Sequence, residues 1–121
     1  MAHINLRDGA TLEFQIGADI AGADVVDVRK VKHFRVFCAD DVGGGSPPLT
    51  VYEAITPENE LPSDLTAIAD ADWKPSNTFG TAGEWATFVE DEYNAAPALA
   101  CSARLLKFVA ASAATGVISA K

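Results

Sequence analysis

The sequence predicts an all-β fold: a single-domain β-sandwich, jelly-roll-like, over residues 1–121, with at most a short helix near residues 64–72. Three observations point there. Short segments such as TLEFQI (11–16) carry apolar residues at every second position, the pattern of a half-buried strand. Val, Ile and Phe are dense in several of these segments, and branched and aromatic side chains suit a pleated surface. Turn-forming runs separate them, and roughly seven or eight short strands punctuated in this way make a sandwich.

Each element follows from local pattern. In TLEFQI, Leu12, Phe14 and Ile16 share the core face. Asp8-Gly9 just before it is a turn signal, because Gly accepts positive φ, so INLR (4–7) is expected to pair back onto it. GADIAGAD (17–24) reads as a loop. DVVDVRKVKHFRVFCADD (24–41) is the densest β region, with Phe34, Val36 and Cys38 on one face and Val31, His33, Arg35 and Phe37 on the more exposed one. It is long for one strand, which marks Arg29-Lys30 as a bend or bulge.

DVGGGSPP (41–48) is a loop by composition, and LTVYEAI (49–55) is a strand with Leu49, Val51 and Ile55 set against Tyr52 and Ala54. In residues 56–85, Ser63 caps one or two helical turns that carry Leu65, Ile68 and Ala69 and stop before Pro75. The remainder is a long loop anchored on the sheet by Trp73 and Phe79. WATFVEDEY (85–93) resumes alternation, with Trp85, Thr87 and Val89 opposite Ala86 and Phe88.

ARLLKFVA (103–110) is built from good helix formers, and its apolar residues suit either a broad helical arc or a strand. Three features favour the strand. The other segments are β in character and their edges need partners. The segment is short and leads through AATG to the β-branched VIS. It also echoes VKHFRVFCA, with a basic residue, apolar residues, Phe and then small residues. Residues 101–111 and 115–120 are therefore expected to form a terminal hairpin. Arg104 and Lys107 then fall on opposite faces, which places the strand near a sheet edge or sets its outer face against another subunit.

Composition bounds the function. The chain has 121 residues, 49% hydrophobic and 21% charged, ordinary values for a globular domain with one core. Its apolar runs are too short to span a membrane as helices. MAHINLRDGA shows no basic start followed by an apolar stretch, so no secretion signal is visible and assembly in a cytoplasm is expected. Seventeen acidic against nine basic residues give a net charge of −8, which repels phosphate backbones and suits solubility or docking on a basic protein. Neither nucleic acid nor membrane is an expected partner. Cys38 and Cys101 lie in apolar segments and read as buried thiols; a bridge between them requires neighbouring strands.

The sequence points away from catalysis. It has no G-x-S-x-G, Ser46 and Ser76 lack a local base, and His3 and His33 stand outside any constellation. No cofactor motif is present: the glycines at 43–45 precede no Gly-Lys-Ser. Asp70 and Asp72 beside Trp73 are the carboxylates worth naming for a loop calcium, but solvated loop acids are the favoured reading, since no EF-hand pattern gathers the six to eight oxygens calcium needs. Tyr52, Trp73 and Trp85 are aromatic enough for a sugar platform. Trp85 is assigned to the core, and Trp73 stays open between loop anchor and ligand contact.

The final third adds a resemblance. W-x-x-F-V at 85–89, A-R-L-L-K-F-V at 103–109 and TGVIS at 115–119 resemble the last strands of discoidin-like and carbohydrate-binding jelly rolls. A small, acidic, cysteine-poor chain ending this way also resembles bacteriophage capsid decoration, or cement, proteins. The resemblance implies a non-enzymatic virion protein on the capsid exterior, trimeric, with the major capsid protein as partner. On that reading His3, Asn5 and Arg7 of the N-terminal segment and Gly43, Gly44 and Gly45 of the loop are candidate contacts, because termini and glycine loops can order on binding. The alternatives are a carbohydrate-binding module using Trp73 and Tyr52, or a head or tail fibre component. The Asp-rich ligand loop of the carbohydrate-binding family is not clearly matched.

Overall fold

The computed structural model describes residues 2–38, 49–97 and 105–121. The strands are β1 (His3–Asn5), β2 (Thr11–Ile16), β3 (Val25–Asp27), β4 (Arg35–Phe37), β5 (Leu49–Ala54), β6 (Trp73–Pro75), β7 (Glu84–Trp85), β8 (Asn94–Ala95), β9 (Leu105–Val109) and β10 (Ala114–Ser119). They form two sheets. The larger runs β1-β3-β9-β5-β6, with β7 sharing β6's side of β5; the smaller runs β2-β10-β4-β8. From β2 to β5 the chain changes sheet at every step, and it does so again from β7 through β10. This alternation is the strand order of a jelly roll, with β1 added as a parallel edge beside β3.

The inward faces carry the core. Phe14 and Ile16 of β2, Val36 of β4, Val51 of β5, Leu106 and Phe108 of β9 and Ile118 of β10 are all buried in one cluster. Rings run through it in sequence: Phe14–Phe108 at 5.3 Å, Phe108–Phe79 at 6.2 Å, Phe79–Trp85 at 5.0 Å and Trp85–Phe88 at 5.2 Å between centroids. β10 makes room for them with small inward residues. A Cβ at Gly116 would stand 2.8 Å from the Phe14 ring, so the glycine is what lets that ring come so close to the strand.

Local pattern located strands better than it paired them. INLR does not fold back on TLEFQI: β1 pairs in parallel with β3, and the turn at Asp8-Gly9 carries the chain from the large sheet to the small one. Gly9 has φ 81° as that turn requires. Likewise β9 and β10 make no terminal hairpin, because β9 pairs with β3 and β5 while β10 pairs with β2 and β4. β9 is central in its sheet rather than near an edge. The bend at Arg29-Lys30 is a complete change of sheet, from β3 to β4.

Two further segments depart from alternation. After β7 the chain turns at 86–87, with Ala86 N–H donating to Glu84 O and Phe88 N–H to Trp85 O. A spacing of three, not two, brings both Trp85 and Phe88 inward, while Val89 is exposed. Residues 56–72 hold single 3-10 turns at Glu58–Glu60, Leu65–Ala67 and Asp70–Asp72 in place of a regular helix. The cap is Asp64, not Ser63: its side chain accepts from the Thr66 N–H. Trp73 belongs to β6 rather than to a loop. Ile55, expected to side with Leu49 and Val51, lies beyond the strand and is exposed. Arg104, Cys101 and Gly43–Gly45 fall outside the described residues; Cys38 is buried, its Sγ 3.8 Å from Thr115 O.

Candidate functional site

Strand alternation assigns the outer face of the large sheet. Val25 and Asp27 on β3, Leu105, Lys107 and Val109 on β9, Tyr52 and Ala54 on β5, and Trp73 on β6 share it through the cross-strand pairs Asp27–Leu105, Tyr52–Lys107 and Ala54–Trp73. His3 and Asn5 join from β1, opposite Val25 and Asp27. Residues singled out for two different reasons in the sequence, His3 and Asn5 as contacts and Tyr52 and Trp73 as a platform, therefore lie on one sheet face. That face is largely covered. Val25, Ala54, Leu65, Ile68, Trp73 and Leu105 form a second, smaller core under the 3-10 turns.

Lys107 is the least expected member. It is 1% exposed, its Nζ donates to the Ile20 carbonyl at 2.7 Å, and it stands 5.0 Å from the centre of the Trp73 ring, a cation–π distance. Burial lowers its pKa, and the charges of Asp70, Asp19 and Asp24 oppose that shift. A lysine between Leu105 and Val109 on one strand face reads as solvent-facing by charge alone. The sequence signal that it is covered lies in those two apolar neighbours at spacing two.

The loop that Lys107 fastens is itself constrained. Asp24 is buried and accepts from the Gln15 N–H at 2.8 Å and the Ala2 N–H at 2.6 Å. Gly17 leaves β2 and bonds across to β9, receiving Ala110 N–H at 2.9 Å and donating to Phe108 O at 3.1 Å. A Cβ at Gly17 would lie 2.5 Å from both Ala23 N and Asp19 O. Because both are backbone atoms, Gly17→Ala is expected to cost about 2–3 kcal/mol and to displace the 18–22 turn. Urea unfolding checks the first expectation and amide shifts of residues 18–23 the second; an unchanged midpoint would show that the turn yields freely.

Beside this loop is a recess of about 410 Å³ lined by Ala18, Asp19, Ile20, Ala21, Tyr52, Asp70 and Val109. At the opposite end of the face, Asp27 is 1% exposed and gripped by Arg29: Nε to Oδ1 at 3.0 Å, Nη2 to Oδ2 at 2.7 Å, and the Arg29 N–H to Oδ1 at 3.0 Å. Arg29 Nη1 reaches on to Glu58 at 2.9 Å, and His3 Nε2 is 3.7 Å from Asp27. Burial pushes the Asp27 carboxyl up, but the hydrogen bonds and charge of Arg29, with His3, outweigh it and hold the pKa below the usual carboxylate range. The Arg29 pKa is correspondingly raised.

The small sheet presents a second surface. Arg35 and Phe37 face outward on β4, and Tyr93 lies over them, its ring 4.8 Å from the Arg35 guanidinium carbon and 5.2 Å from Phe37. Tyr93 is 46% exposed and Val89 49%. The turn that bears them is stitched by Asn94, whose Oδ1 accepts Val89 N–H and whose Nδ2 donates to the carbonyls of Val89 and Glu92. Arg35 Nε is buried and has no hydrogen-bond partner among the described residues.

The remaining candidates distribute plainly. Arg7 is exposed just past β1, and Asn5 Oδ1 is buried without a hydrogen-bond partner among the described residues. Trp73 is 3% exposed, so stacking a sugar on it would require the covering segments to move. Tyr52 lines the recess. Among the described residues no three His, Cys, Asp or Glu side chains gather closely enough to hold a metal ion, Asp70 and Asp72 included. Among the described residues no helix is long and apolar enough to cross a membrane. The fold and this face define a jelly-roll sandwich in which Lys107, Asp24, Asp27 and Arg29 act as struts between strands and loops. No protein-family model, curated protein or solved structure matches the chain.

Proposed function

We propose that the protein is a non-enzymatic structural component of a bacteriophage virion, a decoration or cement protein that binds the outer capsid surface and bridges subunits of the major capsid protein, acting as a trimer. The observation that carries this reading is the outer face of the small sheet, where exposed Tyr93 lies against Arg35 and Phe37 on a turn that also presents Val89 to solvent. Aromatic residues with Arg are the side chains that anchor protein interfaces. The net charge of −8 suits a basic capsid surface, and three such contacts per trimer multiply a weak one. The internal use of Lys107, Asp27 and Arg29 as struts favours binding over catalysis.

Co-sedimentation with undecorated capsids tests the proposal. Retention at low and moderate salt is expected, falling roughly tenfold or more when Tyr93 is replaced by Ala, the loss typical of a central aromatic anchor. Failure of the unaltered protein to sediment with capsids at either salt would overturn it. Light scattering on the purified chain tests the trimer separately.

A further inference from the structure

We propose that the recess between the 17–22 loop, Tyr52, Val109 and Asp70 is a binding site for an alkyl cation, the ammonium or guanidinium end of a flexible carbon chain. Its size, about 410 Å³, lies in the range of small-ligand sites. Its lining divides into two chemistries. Ala18, Ile20, Ala21 and Val109 offer methyl and methylene surface to a carbon stem, while Asp19, Asp70 and the ring of Tyr52 offer charge and a π system to its head.

The protein already places one cation in this corner. The Lys107 ammonium sits against Trp73 and the Ile20 carbonyl, in the field of Asp70, Asp19 and Asp24. Among the described residues that field sets three carboxylates against one ammonium. Asp24 is engaged by the backbone of Ala2 and Gln15. Asp19 caps its own turn through Gly22 N–H at 2.7 Å with one oxygen. The ion pairs found among the described residues all involve Asp27 or Arg29, so Asp19 and Asp70 remain available to a second cation. An anion would meet two carboxylates, and a neutral chain of the same length would forfeit them. A metal ion would lack ligands, since no three carboxylate, His or Cys groups converge there among the described residues.

The site is independent of the capsid reading and is tested on the purified full chain. Titration with n-butylammonium, followed by amide shifts, is expected to perturb Ala18–Ala21, Tyr52 and Val109. n-Butanol, the neutral counterpart, should bind about tenfold more weakly or worse, the value of a hydrogen bond to a charged group. Asp70→Asn should weaken butylammonium by a similar factor while leaving the amide spectrum unchanged away from the recess and Lys107, since Asp70 is exposed. Equal binding of butanol, undiminished binding by Asp70→Asn, or no shifts in the recess would each overturn the proposal. Capped lysine and capped arginine distinguish the sources: if they bind, the site takes a side chain of another protein, and if only free amines bind, it takes a small metabolite-like amine.

Discussion

Phe108→Ala is expected to lower stability by about 3–5 kcal/mol, the cost of emptying a well-packed aromatic site. Phe108 is completely buried and lies between Phe14 of the small sheet and Phe79 of the segment leading into β7. Its loss would open a cavity where both sheets and the long connection meet. The neighbours cannot fill it easily. Phe14 is already packed close over Gly116, where no Cβ stands between ring and strand, and Phe79 is committed to Trp85 at 5.0 Å. Against a total stability of about 5–15 kcal/mol for a domain, the melting temperature should fall by roughly 12–20 °C. Calorimetry and urea unfolding measure it; a loss below about 1 kcal/mol would mean that the aromatic series is not a continuous packing unit.

That series also shows how far sequence reasoning reaches. The inward positions of β2, of β4 and of Phe34 beside it, and of Leu49 and Val51 on β5 follow from alternation, which is a property of the pleat itself. The all-β class was legible for that reason. What alternation does not encode is which sheet a strand joins. β9 and β10 are adjacent in sequence with a short connection, and a hairpin is the local solution. The chain instead arches from one sheet to the other, because β10 fills the gap between β2 and β4 while β9 fills the one between β3 and β5. Those vacancies are created by distant strands. The face of Lys107 was likewise readable from its spacing, but not its cover, since Ile20 and Trp73 are 87 and 34 residues away in sequence. Asp27 and Arg29 carry a local signal of their pairing, two opposite charges at spacing two, just where strand length marks Arg29-Lys30 as a bend.

Asp27→Asn is expected to cost about 2–3 kcal/mol at neutral pH, the scale for removing one partner of a buried ion pair, reduced because Arg29 keeps partial access to solvent. The amide can keep one acceptor for Arg29 but loses the two-oxygen grip and the charge that matches it. The pH dependence separates charge from shape. Asp27 has a folded pKa below its unfolded value, near 3.9 for an ordinary Asp. Its contribution is therefore full above that unfolded value and lost as pH falls through the folded one, since the unfolded chain binds the proton first.

The stability gap between the unaltered protein and Asp27→Asn should accordingly be constant from about pH 7 to 5 and narrow below about pH 4. A gap of the same size at pH 7 and at the acid limit would show that packing, not charge, accounts for it. Glu58→Gln serves as the control: Glu58 is the exposed end of the same chain of contacts, and its loss should cost only about 0–1 kcal/mol. Because Arg29 ties β3 to the 3-10 turn at Glu58–Glu60, the Asn variant should also release the cover of the second core before the sandwich itself. Faster amide exchange at Ile68, whose N–H bonds to Leu65 O, with unchanged exchange on β10, is the expected signature. Equal acceleration on both would place Asp27 in the global unfolding unit instead.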